Sequence, residues 1–279
     1  MTDMKRSSNS IKRADPRVPN LLAIASGKGG VGKTWCAVTL AHSLARIGEK
    51  ILLVDGDLGL ANVDVQLGLT PGFDLAGVIS GTITAQSAIV AVDGGAAQNG
   101  FDVLAGRSGS GALGLLKSEE LAGLIQIIRT LSAKYDRIVL DLGAGIDAAV
   151  RSLCGAAANV LVVLTDEPTS LTDAYALVKV LFMRDAATNI SIVVNQAESV
   201  AHGRRTHQAL AQACKSFLGQ EPKLAGIVRR DKLVKEAIRQ QTALLSKYPQ
   251  SAAAADVCAL AKFLTNNFHK QDHRVRTEA

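Results

Sequence analysis

The residues best suited to chemistry form one glycine-rich run near the N-terminus, Ser26-Gly27-Lys28-Gly29-Gly30-Val31-Gly32-Lys33-Thr34. The run matches the spacing G-x-x-x-x-G-K-[ST], in which glycines let successive backbone N–H groups turn toward phosphate oxygens. An apolar stretch precedes it and a helical pattern follows, so a helix N-terminus adds its positive dipole end. We predict that Lys33 reaches the β- and γ-phosphates of a nucleotide and that the Thr34 hydroxyl holds Mg²⁺. The nucleotide-binding residues predicted here are Gly27, Gly29, Gly30, Val31, Gly32, Lys33, Thr34 and Trp35.

Carboxylates follow two further apolar runs. Asp55 and Asp57 come directly after Ile51–Val54, and Asp141 ends the run that begins at Arg137. In a parallel sheet the C-terminal ends of the strands face the ligand crevice, so these side chains should lie near the phosphates. Asp141 is predicted to hold a Mg²⁺-bound water. For Asp57 an Asp-rich surface turn is the alternative.

Short apolar runs alternate with helical patterns, which predicts an α/β fold: a mostly parallel twisted sheet with helices on both faces. The 48% hydrophobic and 4% aromatic composition suits strands buried on both sides. The predicted strands are Leu21–Ser26, Ile51–Val54, Phe101–Leu104, Arg137–Asp141, Asn159–Leu164, Ile190–Val194 and Lys223–Val228. The predicted helices are Lys33–Ile47, Ser118–Tyr135, Ile146–Ala157, Ser170–Met183, Gly203–Leu218, Lys232–Gln240 and Ala252–Phe268. We expect one domain over residues 21–268, between disordered tails at 1–20, which is basic, and 269–279.

The second lysine of the loop makes the motif more specific. The run from Lys28 to Thr34 resembles the deviant Walker A loop of the MinD/ParA family of P-loop ATPases. This resemblance implies slow, regulatory ATP hydrolysis with Mg²⁺ and a homodimer that forms when ATP is bound. In that family the extra lysine crosses the interface to the partner's nucleotide, so Lys28 would act much as an arginine finger does. The catalytic residues implied are Lys28, Lys33, Asp57 and Asp55.

The resemblance also implies roles for residues beyond the loop. Asp57 would orient or activate the attacking water, Asp55 would assist around the metal with Thr34 and Asp141, and Asn62 would line the phosphate site. Leu142-Gly143-Ala144-Gly145-Ile146 resembles switch II, with Gly143 as a departure from the usual pattern. Asn195 would hydrogen-bond adenine, with a helix cap as the alternative. Arg229 stands where the family has proline, and would either stack on adenine or lie in solvent.

Two stretches resemble the FlhG/FleN branch, which regulates flagellar number and placement: Asp57–Asp64 with Leu67–Pro71, and Thr165–Lys179. The implied partner is a flagellar assembly or regulatory protein, either an FlhF-type GTPase or a transcription regulator. The branch's activator motif Asp-Gln-Ala-x-x-Leu is not visible in residues 1–20.

The alternative function is a ParA-type positioning ATPase that moves chromosomes, plasmids or other cargo and binds DNA non-specifically. Residues 1–19 carry a net charge of +3 and residues 269–279 of +1, out of +6 for the chain. The near-neutral body therefore argues against nucleic acid, unless Arg204, Arg205, Arg229, Arg230 and Lys232 cluster. The four cysteines have no paired spacing, which argues against an iron–sulfur carrier on the same fold.

The N-terminus has no apolar core of a signal peptide, and no apolar run is long enough to cross a bilayer. We therefore expect a cytoplasmic protein. Val257, Leu260, Ala261, Leu264 and Phe268 share one face of the last predicted helix. That face either packs on the body, which we favour, or binds weakly to the inner face of the cell membrane.

Overall fold

The computed structural model describes residues 17–57, 59–96, 98–106 and 118–277. The strands are β1 Val18–Ser26, β2 Ile51–Gly56, β3 Ile89–Val92, β4 Phe101–Leu104, β5 Arg137–Ala144, β6 Ala157–Leu164, β7 Asn189–Ala197 and β8 Lys223–Arg229. The longer helices are α1 Lys33–Arg46, α5 Ser118–Leu131, α6 Ala148–Ala156, α7 Pro168–Arg184, α8 Val200–Leu218, α9 Lys232–Arg239 and α11 Ala252–Thr277. The short helices are α2 Val63–Leu67, α3 Leu75–Ile79, α4 Ala85–Ala88 and α10 Leu244–Lys247.

Across these residues the strands form one sheet in the order β3-β4-β2-β5-β1-β6-β7-β8. Every neighbouring pair is parallel except β3 with β4. Because successive side chains of a strand point to opposite faces, β1 supplies both halves of the core. Leu22 and Ile24 pack with α1, α10 and α11, while Leu21 and Ala23 pack with α5, α6, α7 and α8. The predicted α/β fold is confirmed.

The sheet begins earlier than predicted. β1 starts at Val18, which is buried and pairs with Ala157, so the predicted tail does not extend to residue 20. Pro19 is exposed at the beginning of the strand, where a missing N–H is tolerated. The remainder of the predicted tail, residues 1–16, lies outside the described residues.

Further differences concern local elements. α11 continues to Thr277, nine residues beyond its predicted end, because the residues after Phe268 include no glycine or proline to stop a helix. Strand β3 and the four short helices were not predicted. β3 has four residues and only Val92 is buried, so its sequence lacks a readable alternation.

The apolar side of α11 packs on the body, against β8 and α1. Val257, Leu260, Ala261 and Leu264 are buried in the core, which agrees with the favoured of the two predictions for this face. The side chain of Phe268 lies beyond the part of α11 whose burial is described. No helix in the described ranges combines the length and hydropathy required to span a membrane.

Candidate nucleotide-binding site

The glycine-rich run connects the end of β1 to the start of α1, as the motif requires. Gly30 and Gly32 have φ angles of 78° and 85°, in the left-handed region that favours glycine. Gly32 is the N-cap of α1, and no side chain caps the helix. The first-turn amide groups are therefore left for an anion, which the helix dipole also favours.

At two positions of the loop, neighbouring atoms leave no room for a side chain. A Cβ atom on Gly27 would lie 2.1 Å from the backbone oxygen of Asp173 in α7. A Cβ atom on Gly32 would lie 2.5 Å from Nδ2 of Asn195, which donates a hydrogen bond of 2.8 Å to the Val31 carbonyl. The buried Asn195 amide thus supports the loop from β7. Asn195 does not cap the next helix, because Ser199 is the N-cap of α8. The predicted hydrogen bond from Asn195 to adenine stays a prediction.

Lys33 and Asp141 form a buried ion pair at the bottom of the site, with 2.8 Å between Nζ and Oδ1. Burial raises the pKa of Asp141, and the neighbouring Lys33 opposes that shift. The other carboxylate oxygen, Oδ2, is buried and has no hydrogen-bond partner among the described residues. The Thr34 hydroxyl lies beside the same carboxylate and also opposes the rise in its pKa. A buried carboxylate oxygen without a described partner, close to a hydroxyl, fits Mg²⁺, which takes one or two protein ligands and fills its shell with water and phosphate.

Asp55 lies opposite Asp141 on the paired strands β2 and β5. Oδ1 of Asp55 accepts a hydrogen bond from the backbone amide of Asp57. Oδ2 accepts hydrogen bonds from the backbone amides of Asn62 and Val63, and all three distances are 3.0–3.1 Å. Burial, with the nearby charge of Asp141, raises the pKa of Asp55 to about 7. Asp55 therefore holds the loop that carries Asp57, and its predicted contact with the metal stays a prediction.

Asp57 is half-buried and lines the cavity in front of the phosphate loop. Its Oδ1 accepts the amide of Leu60 at 3.1 Å. A Cβ atom on Gly143 would lie 3.6 Å from this oxygen, which is ordinary contact distance, so the switch-II-like segment adjoins Asp57. Asn62 is exposed on the same rim, and its side-chain amide donates to the Leu60 carbonyl.

The cavity has a volume of about 730 Å³. Its walls come from the phosphate loop, the Asp57 loop, residues 142–144 and the first turn of α6. The predicted residue Trp35 lines it and is only 5% exposed, and its indole Nε1 has no partner among the described residues. A cavity of this size accommodates a nucleotide.

Lys28 contacts α7 and is not among the described residues that line the cavity. Its Nζ lies 2.6 Å from Oε2 of Glu167 and 2.8 Å from Oγ1 of Thr169, at the N-terminus of α7. The hydrogen bond and charge of Lys28 lower the pKa of Glu167. Glu167 and Thr169 were not predicted as site residues. The only signal in the sequence was their place in the stretch Thr165–Lys179.

Arg229 forms an ion pair with Asp256 at the surface. Its guanidinium makes two hydrogen bonds, of 2.8 and 2.9 Å, to the carboxylate of Asp256 in α11. The backbone amide of Arg229 donates to the same carboxylate. The Arg229 side chain is 40% exposed, so the ion pair leaves part of it in solvent. The stacking contact with adenine stays a prediction. The other four cations considered as possible DNA contacts are exposed: Arg204, Arg205, Arg230 and Lys232.

The glycine-rich loop lies between a strand and a helix, and the lysine that begins the helix pairs with a buried carboxylate of the neighbouring strand β5. This arrangement defines a P-loop nucleotide-binding protein. The model of the CobQ/CobB/MinD/ParA nucleotide-binding domain matches residues 22–244. The chain belongs to this family.

Similarity to individual proteins identifies the branch of the family. The chain is 38% identical to the antiactivator FleN of Pseudomonas aeruginosa over 242 residues, which are 87% of this chain and 85% of that protein. It is 29% identical to the flagellum site-determining protein YlxH of Helicobacter pylori over 250 residues, 88% and 81% of the two chains. Among solved structures, the cell division ATPase MinD of Pyrococcus furiosus matches with a TM-score of 0.72 and 25% identity, covering 89% of this chain and 99% of that one. The predicted resemblance to the MinD/ParA family and its FlhG/FleN branch is confirmed.

Proposed function

We propose that this protein is a slow, Mg²⁺-dependent ATPase that dimerises with ATP and thereby regulates the number or placement of flagella. The observation that carries the proposal is the placement of the two loop lysines. Lys33 lies inside the phosphate site with Asp141, whereas Lys28 is held outside it by Glu167. The two flagellar relatives support the biological half of the proposal.

In the proposed reaction the loop amides and Lys33 bind the β- and γ-phosphates. Thr34 and Asp141 are the residues that would hold Mg²⁺, which when bound neutralises charge on the phosphates. Asp57 orients the attacking water and accepts its proton. Asp55 keeps Asp57 in place through the amides that it accepts.

Dimerisation explains why a second lysine is needed. Lys28 is tethered to the α7 of its own chain, so it contributes to the phosphates only after it leaves Glu167. A second ATP-loaded copy facing the loop offers Lys28 a more highly charged partner than one carboxylate. The ATP-bound dimer is then the state that a flagellar partner recognises, because a ligand that binds one state shifts the population toward it.

The enzymatic half is tested with Lys33→Ala. Loss of the cation at the transferring phosphate should lower kcat about 100-fold or more, measured as phosphate release with Mg²⁺. Lys50→Ala is the matched control, because its side chain is exposed and outside the cavity. Equal turnover by the wild type and Lys33→Ala would refute the assignment.

The dimer is tested by size exclusion with light scattering at saturating ATP. Asp57→Ala should bind ATP without hydrolysing it and accumulate as a dimer. Lys28→Ala should bind ATP and stay monomeric. A monomeric Asp57→Ala protein would show that Lys28 does not act across an interface in this chain.

The biological role is tested by deleting the gene in its host and counting flagella by electron microscopy. We expect altered number or placement, and repression of assembly by the Asp57→Ala form. Normal flagellation together with mis-segregated chromosomes or plasmids would instead favour the positioning ATPase, for which the exposed cations Arg204, Arg205, Arg230 and Lys232 are the candidate DNA contacts.

A further inference from the structure

Gln196, near the end of β7, has an unusual backbone. Its φ angle is 55°, in the left-handed region that side chains other than glycine rarely adopt. The pairing of β7 with β8 shifts register between Val194 and Ala197, so the chain bulges at Asn195 and Gln196. Such conformations concentrate at binding sites, because the surroundings must hold them in place.

The bulge brings two consecutive side chains to one point. In a regular strand Asn195 and Gln196 would point to opposite faces. Here Nδ2 of Asn195 lies 2.5 Å, and Nε2 of Gln196 3.8 Å, from the position that a Cβ atom on Gly32 would occupy. Both amides therefore adjoin the last glycine of the phosphate loop.

Only one of these two side-chain amides has a hydrogen-bond partner among the described residues. Asn195 donates to the Val31 carbonyl, whereas the Gln196 side chain makes no hydrogen bond with any described residue. Gln241 provides a comparison, because it is also left-handed, with φ of 50°, but its amide donates to the Val65 carbonyl. The strained conformation at Gln196 thus presents a half-buried, uncommitted amide beside the loop.

The sheet order indicates which part of ATP lies there. Asp57 follows β2 and Asp141 lies in β5, both on one side of β1, and they mark the side of the γ-phosphate and metal in the proposed site. Strands β6 and β7 lie on the other side of β1. A nucleotide whose phosphates occupy the loop extends its nucleoside away from the carboxylates, toward the end of β7.

We propose that Gln196 is a specificity-determining residue that contacts the adenine of bound ATP. The proposal rests on the proposed ATP-binding function. A glutamine amide places a donor beside an acceptor, which matches the acceptor N7 and donor N6 on one edge of adenine. Guanine presents two acceptors on that edge, so it would leave the amide carbonyl without a donor.

The test compares Gln196→Ala and Gln196→Gly with the wild type by isothermal titration of ATP, GTP and tripolyphosphate. Glycine adopts the left-handed backbone freely, so Gln196→Gly removes the side chain and keeps the bulge. Loss of this two-point contact should weaken ATP binding about 5- to 150-fold. Binding of tripolyphosphate, which lacks a nucleoside, should not change, and the preference for ATP over GTP should fall.

Gln241→Ala is the matched control, and its ATP affinity should equal that of the wild type. If Gln196→Ala fails to fold, Gln196→Gly still carries the test. Unchanged ATP affinity in Gln196→Gly overturns the inference, and so does an equal loss for ATP and tripolyphosphate, since the side chain would then act through the loop. A wild-type protein that binds no ATP would instead refute the proposed function itself.

Discussion

Replacement of Gly27 by alanine should destabilise the protein by crowding α7 against the phosphate loop. The added Cβ atom would lie 2.1 and 2.3 Å from the backbone O and C atoms of Asp173, and 2.8 Å from the amide nitrogen of Ala174. These are backbone atoms, so no side-chain rotation can relieve the contact. The loop and α7 would have to separate by roughly 1 Å for the closest pair to reach a contact distance of about 3 Å.

Overpacking of this kind costs about 1–3 kcal/mol, and a clash with helix backbone belongs at the upper end of that range. In a domain of this size, about 3 kcal/mol lowers Tm by about 6–12 °C. Tm is measured by circular dichroism without nucleotide, so that ligand binding does not mask the change.

Two neighbouring glycines serve as controls in the same loop. The nearest atom to a Cβ on Gly29 would be 4.0 Å away, so Gly29→Ala should be neutral or slightly stabilising. Gly30 has open space but a φ of 78°, so Gly30→Ala should cost about 1–2 kcal/mol through backbone strain alone. Equal Tm values for the Gly27→Ala and Gly29→Ala proteins would refute the packing argument.

Other predictions concern stability, dimerisation and membranes. Burial, with the charge of Arg46, lowers the pKa of His42 from 6.5 to about 4, so stability should fall by up to about 3 kcal/mol between pH 6.5 and pH 4. His42→Gln should remove this fall in urea titrations, and an unchanged pH dependence would contradict the assignment. Glu167→Gln should release Lys28 and lower the protein concentration at which ATP-dependent dimers form; a higher concentration would show that Glu167 assists the dimer. Because α11 packs on the body, anionic liposomes should co-sediment little protein, and strong ATP-dependent binding would contradict this.

Much of the fold was predictable, because strands buried on both faces appear as uninterrupted apolar runs. Ile51–Val54 is an example, and the structure places it inside the sheet as a buried strand. The edge strand β3 was less predictable from the sequence. β3 is a short antiparallel edge strand, and Ile89, Val90 and Ala91 are at least partly exposed, so neither length nor burial sets it apart from a loop.

The predicted phosphate loop has the placement its motif implies, because the motif is local and its geometry follows from adjacent residues. Contacts between distant residues were not predictable in the same way. Lys28 and Glu167 are separated by 139 positions, and Arg229 and Asp256 by 27. No spacing rule links such pairs, and the fold alone brings α7 to the loop and α11 to the end of β8. Asp55 illustrates the same limit, since its three backbone donors lie in a loop with no periodic pattern.

The two loop lysines are both paired with carboxylates of their own chain, but the two pairs differ in how firmly they are held. Lys33 and Asp141 are buried, and removing one partner from such a pair costs about 3–5 kcal/mol, so only a strongly anionic ligand can replace the carboxylate. The side chains of Lys28 and Glu167 are 34% and 61% exposed, and ion pairs at the surface contribute little to stability, so they exchange more easily. In the proposed cycle, ATP therefore has to displace the buried pair within one chain. The Lys28–Glu167 pair then separates when a second ATP-loaded copy binds. Formation of the dimer therefore depends on the nucleotide and on partners that cover α7.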